Sequence, residues 1–346
     1  MRMLILRAHK SFLYLKKPIM RGEIKMEILE AVLLLLVGFI LLIKGADFFV
    51  DGASAVAKKL RVPSLIIGLT IVAMGTSLPE LSVSVTASLN DNNALAISNV
   101  IGSNIFNLMV VLGASAAITP LLVSKSVMKK DYPFALGCAV LLLIFGYNGM
   151  ELGHIDGIIL LVIFTGFIIN QILSVKKARK ESLEQEASSD DENEDTSDIS
   201  LFLSIVYIIG GAAAVKFGGD WVVNAAITIA SAFGLSENLI GLTIVACGTS
   251  LPELVTSIAA ARKDELDMAI GNVVGSNIFN ILMILGVAAT ISPMAFITEN
   301  VIDIGVLFGF SVLTWFFCYT KGKLERHEGI IMLICYAVYL VYICNR

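Results

Sequence analysis

Ten stretches of this chain are apolar over about the length that crosses a lipid bilayer, and no other feature limits its fold as severely. A crossing helix needs about 20 mostly apolar residues. The stretches lie at roughly 28–57, 64–88, 94–118, 132–148, 156–174, 200–216, 219–261, 267–291, 301–319 and 328–344. The seventh is read as a short amphipathic piece followed by a main span from about 237. The first exceeds a bilayer's needs, so it is expected to tilt or to run on past the membrane as 47–59. Only 16% of the 346 residues are charged and 57% are hydrophobic, whereas a soluble domain carries about 25% charged residues. The expected class is therefore an all-α integral membrane protein with ten transmembrane helices. The net charge of -4 lies in loops, and no basic face is available for nucleic acid.

Charge outside the spans divides the chain. Residues 1–25 hold seven basic residues and no apolar run long enough for a signal-peptide core. They are either a basic tail or lie before a start at Met20 or Met26. Residues 27–174 form a first half and 200–346 a second. Between them, 175–199 begins basic and turns acidic, a composition that predicts a solvated, disordered hinge. Basic residues follow the odd-numbered spans, among them Lys58, Lys59, Lys129, Lys130, Lys263 and Lys321; the loops after even-numbered spans hold none, and the C-terminal tail holds only Arg346. The positive-inside rule then places the 175–199 loop in the cytoplasm and both termini outside the cell membrane. Cys138, Cys247, Cys318, Cys335 and Cys344 lie in apolar runs without paired spacing, so they are expected to pack as small hydrophobes.

The chain repeats itself at an offset of 173 residues. Residues 68–113 align without a gap on 241–286, and 28 of 46 positions are identical. The first copy reads GLTIVAMGTSLPEL and then NVIGSNIFN; the second reads GLTIVACGTSLPEL and then NVVGSNIFN. Five spans separate equivalent points, and five is odd, so the second half enters the membrane inverted relative to the first. Two inverted five-helix repeats are an architecture of secondary transporters, with the site near the midplane at the repeat interface.

The chemistry lies in the repeated motifs. Glu80 is the one charged residue between Ser64 and Leu89, and Glu253 the one between Asn238 and Ala261. A charged side chain at the bilayer centre costs roughly 3 kcal/mol on insertion scales, so such residues mark ion pathways. Two equivalent carboxylates facing each other repel unless a cation or proton sits between them. Thr76 and Glu80 stand four apart, which puts them on one helix face, with Ser77 on the adjoining strip. Thr249, Ser250 and Glu253 repeat this, and Ser103 with Asn107, like Ser276 with Asn280, are again four apart. All of these offer oxygen, and calcium takes six to eight oxygens including carboxylates. Pro79 and Pro252 remove backbone donors, which is expected to free carbonyls near Ala73 and Ala246.

At these residues the chain resembles the sodium/calcium exchanger family of the cation/calcium antiporter superfamily, whose alpha repeats carry paired GTSLPE and GSNIFN motifs. The resemblance covers all ten spans. It implies the ten-helix inverted-repeat fold and sodium-driven calcium export. The expected partners are calcium and sodium, as transported ions, and the lipid bilayer; no cofactor is expected and no obligate protein partner is inferred. By matching motif positions it places ion ligands at Thr76, Ser77, Glu80, Ser103, Asn107, Thr249, Ser250, Glu253, Ser276 and Asn280. It also implies that the spans containing 38–47 and 211–216 slide past the rest. The potassium-dependent branch carries an Asp at the end of the second GSNIFN-like motif, where this chain has Asn280.

Three other functions compete. A proton/calcium or other divalent-cation antiporter would use protons on Glu80 and Glu253, but that branch lacks these motifs. A passive cation channel usually builds its filter from symmetric subunits, whereas one chain supplies both motifs here. An enzyme needs a nucleophile, a base and an orienting group in one constellation, and none surrounds the two carboxylates.

Overall fold

The protein is described from a computed structural model covering residues 21–90, 93–186, 199–234, 244 and 246–345. Nearly all of it is helical, as hydrocarbon demands: without water, a spanning backbone must satisfy its own polar groups. The helices are α1 (Arg21–Leu60), α2 (Ser64–Thr76), α3 (Leu78–Leu89), α4 (93–118), α5 (Tyr132–Tyr147) and α6 (His154–Glu186). They continue as α7 (Leu201–Ala232), α8 (Ala246–Gly248), α9 (Leu251–Arg262), α10 (Leu266–Ile291), α11 (Thr298–Lys321) and α12 (Arg326–Asn345). Among the described residues, α1, α4, α6, α7, α10, α11 and α12 are long and apolar enough to cross a membrane. The α2–α3 pair qualifies as a broken eighth, bent by 49°. The protein is a multi-pass membrane protein.

Two expectations are corrected. The stretches at 200–216 and 219–261 do not part at residue 217: α7 runs unbroken through it for 32 residues. Lys216 and Asp220, four apart on that helix, pair at 2.8 Å, so the polar residues continue the helix instead of ending it. The main span expected from about 237 lies outside the described residues up to Val245, apart from Ile244. The hinge expected from 175 is helical as far as Glu186, because Lys, Arg and Glu are good helix formers and extend a helix that the apolar span has started. The next helix starts at Leu201, where Leu203 N–H donates to the Ser200 hydroxyl at 3.2 Å. The acidic run 190–195 and the tail 1–20 lie outside the described residues.

α4 and α10 form the centre. In each, 72% of the membrane-length window is buried, against 17–22% for α1, α6, α7 and α12. Both widen into a π-helical turn at equivalent places, Asn107–Val111 and Asn280–Ile284. α10 packs along α2, and α3 and α9 pack against the later turns of α10 and α4 respectively. At the periphery α1 and α7 lie in close contact through small residues. A Cβ on Gly211 would stand 2.6 Å from the Phe49 backbone nitrogen, and one on Gly45 would stand 2.8 Å from that of Val215. Side chains at these two positions would force the helices apart.

Two short antiparallel ladders tie the halves together. β1 (Leu121–Leu122) pairs with β4 (Lys323–Leu324), and β2 (Glu151–Leu152) pairs with β3 (Met294–Ala295). Leu121 opposes Leu324, and Met294, 173 residues beyond Leu121, opposes Leu152. Each half therefore supplies one strand to each ladder.

Candidate functional site

Each GTSLPE motif breaks its helix. Ser77 (φ -85°, ψ 11°) and Ser250 (φ -94°, ψ 8°) leave helical geometry, and a new helix begins one residue later. Pro79 and Pro252 sit in the first turn of the new helices, where a missing N–H is no loss. The same first turns carry Glu80 and Glu253, so both carboxylates lie at helix N-termini, which favour negative charge. The break corrects the expectation that Thr76 and Glu80 share one helix face: Thr76 ends α2 and Glu80 lies in the first turn of α3.

Both carboxylates are fully buried, and their hydroxyl partners are exchanged between the halves. Ser77 Oγ donates to Glu253 Oε1 at 2.7 Å, and Ser250 Oγ donates to Glu80 Oε1 at 3.0 Å. Ser103 Oγ approaches the same Glu80 oxygen at 3.5 Å. The other oxygens, Glu80 Oε2 and Glu253 Oε2, are buried without a hydrogen-bond partner. Among the described residues no Lys, Arg or His pairs with either carboxylate. Buried polar atoms normally find a partner, yet the unpartnered set here also includes Thr249 Oγ1, Asn107 Oδ1 and Asn280 Oδ1. Buried, unpartnered oxygens that include two carboxylates, with no basic side chain paired to those carboxylates among the described residues, are suited chemically to a hard metal ion.

The other candidates are placed as follows. Ser103, Asn107, Ser276 and Asn280 are all buried on α4 and α10. Thr76 Oγ1 donates to Asn272 Oδ1 at 3.2 Å. The Ala73 carbonyl is not bare: Ser77 N–H donates to it at 3.1 Å, and the Thr76 and Ser276 hydroxyls approach at 3.3 and 3.5 Å. Ala246 opens α8. A cleft too tight to hold a water molecule lies between Phe49, Ala212 and Lys216 on one side and Thr76, Pro79 and Pro252 on the other.

Four asparagines of the second motif belong to the site's frame although spacing did not single them out. Asn99 Nδ2 donates to Ser84 Oγ at 3.0 Å, and its counterpart Asn272 Nδ2 donates to Ser257 Oγ at 2.9 Å. Asn104 and Asn277 reach across from α4 and α10 to each other's main chain. The signal for them was in the sequence, since all four stand at identical positions of the two copies.

Fold and site together define a multi-pass membrane protein with an oxygen-lined centre between two repeated halves. The family model described as sodium/calcium exchanger protein matches residues 30–173 and 203–345. The chain is 32% identical over 340 residues to the sodium/calcium exchanger MaX1 of Methanosarcina acetivorans, covering 89% of this chain and 97% of that protein. It superposes on the sodium-calcium exchanger NCX_Mj, soaked with 10 mM Na+ and zero Ca2+, with a TM-score of 0.77 and 36% identity, covering 91% of this chain and 99% of the other. Similarity to sodium/potassium/calcium exchanger 2 of Gallus gallus is 31% over 147 residues, 39% of this chain and 22% of that protein. The chain belongs to the sodium/calcium exchanger family.

Proposed function

We propose that the chain is a secondary active transporter that exchanges sodium for calcium across the cell membrane by alternating access at one site near the bilayer midplane. The observation that carries this reading is the exchange of partners between Ser77–Glu253 and Ser250–Glu80, which leaves one oxygen of each buried carboxylate unpartnered. The two carboxylates balance one calcium ion. The ligands are Glu80 and Glu253, with Thr76, Ser77, Ser103 and Asn107 from the first half and Thr249, Ser250, Ser276 and Asn280 from the second. The Ala73 and Ala246 carbonyls complete the set. Sodium ions take the same oxygens in turn, so the two cations compete and countertransport follows.

The reading carries an architecture with it. Ten transmembrane helices form two inverted five-helix repeats, with α2–α3 and the α8–α9 region as the broken spans and α5 as a crossing helix. Both termini face outside and the 175–199 loop faces the cytoplasm. Sodium-loaded proteoliposomes should accumulate radioactive calcium from sodium-free medium and stop when the sodium gradient is collapsed. Uptake driven by a proton gradient without sodium would replace this reading with proton/calcium antiport.

A further inference from the structure

Resting on the reading that Asn280 is a calcium ligand, we propose that Asn104 is a positioning residue that turns the Asn280 side-chain oxygen toward the ion. Asn104 is buried on α4, in the second repeated motif but outside the set of ligands above. Its Nδ2 donates to the main-chain carbonyl of Asn277 on α10 at 3.2 Å, and Asn277 Nδ2 donates to the main-chain carbonyl of Asn104 at 3.3 Å. The two central helices are thereby clasped side chain to backbone in both directions.

The clasp fixes the orientation of each amide in turn. A main-chain carbonyl only accepts, so Asn104 must turn its NH2 group to Asn277. That leaves Asn104 Oδ1 as an acceptor on its other side. Asn280 meets it with Nδ2 at 3.0 Å, because an amide oxygen there would face another oxygen. Asn280 Oδ1 then points away from Asn104, and it is buried without a partner. A freely rotating amide presents its positive NH2 end to a cation as readily as its oxygen. Asn104 removes that choice. The second half offers no matching bond: Asn277 Oδ1 and both polar atoms of Asn107 are buried without partners. The clasp is two-sided, but the orienting bond is made once, to Asn280.

A double-mutant cycle in the full-length protein tests this, because a pair acting through one contact is non-additive. Calcium binding by calorimetry and the half-saturating calcium concentration for exchange are measured for Asn104→Leu, Asn280→Ala and the double variant. Each single variant should weaken calcium binding by roughly ten- to hundredfold, as for lost groups that orient metal ligands. The double variant should be no weaker than Asn280→Ala alone. Losses that multiply in the double variant would overturn the inference and leave Asn104 as a packing residue. If Asn104→Leu does not fold, Asn104→Ser replaces it, keeping a small hydroxyl in place of the amide, and the same criterion applies. Unchanged calcium binding in Asn280→Ala would instead overturn the ligand assignment on which the inference rests.

Discussion

Ser77 donates to Glu253 at 2.7 Å although 176 positions separate them in sequence. The hydroxyl of one motif thus holds the carboxylate of the other. Hydrogen bonds to charged groups contribute about 1.5–3 kcal/mol, a factor of roughly ten to a hundred in affinity. Ser77→Ala should therefore raise the half-saturating calcium concentration by roughly that factor. Ser82→Ala, on an exposed position of the same α3, should leave it unchanged. Equal effects of the two variants on calcium-dependent exchange would contradict the assignment.

Neutralising either carboxylate should abolish exchange without unfolding the protein. Gln keeps the shape of Glu and is cheaper to bury than a charge, so Glu80→Gln and Glu253→Gln should reach the membrane and elute as folded protein in detergent. Neutralising the acidic run 190–195 should leave transport largely intact. Near-normal calcium uptake by both Gln variants would move the site elsewhere.

The register of 173 residues made the site's components legible in the sequence. Glu80 and Glu253 stood out as single carboxylates in apolar runs, and the oxygen donors stood out because both copies carry them. What stayed hidden depends on where helices break. A spacing rule treats 76–80 as one continuous turn, but Ser77 ends it, and that break is what lets each serine reach the opposite half. The position of Pro79 carried a trace of this, since Pro is favoured in a helix's first turn. The continuity of α7 through residue 217 is not legible from apolar runs, because Lys216 and Asp220 interrupt them and only their pairing four apart keeps both on one helix.

The α1–α7 seam should tolerate no side chain at Gly211. A Cβ there would meet Phe49 and Gly45 backbone atoms at 2.6–2.8 Å, and neither backbone can give way without moving a helix. Gly211→Val should lower the thermal stability of the purified protein by several degrees or prevent its accumulation. Gly210→Val faces open space and should behave as the parent protein. A melting temperature for Gly211→Val matching that of Gly210→Val would show that the seam is loose.

Orientation is open to direct labelling. Lys125 and Asn148 are both exposed and flank α5. With the basic loops inside, Lys125→Cys should resist an impermeant maleimide in intact cells and react after permeabilisation, whereas Asn148→Cys should react in intact cells. The parent cysteines are first replaced by Ala to remove background. The reverse pattern would invert the proposed topology.

Potassium should not be required. A carboxylate in place of Asn280 would add a third negative charge beside Glu80 and Glu253, enough to retain one monovalent cation together with calcium. Asn280 supplies an oxygen without a charge, as Asn107 does in the first half. Its NH2 group is committed to Asn104 at 3.0 Å, so the amide adds no charge with which to hold potassium. Asp47 and Asp220 do not supply it either. Asp220 is paired with Lys216 at 2.8 Å, and Asp47 lies within 3.8–3.9 Å of Lys44 and Lys263. Two charges then balance one calcium. Sodium-loaded vesicles clamped at zero membrane potential should take up calcium equally fast from choline and from potassium media. Asn280→Asp should change that, because its carboxylate restores the third charge while placing an oxygen against Asn104 Oδ1. Uptake by the parent protein that falls to background in choline would defeat the argument from Asn280.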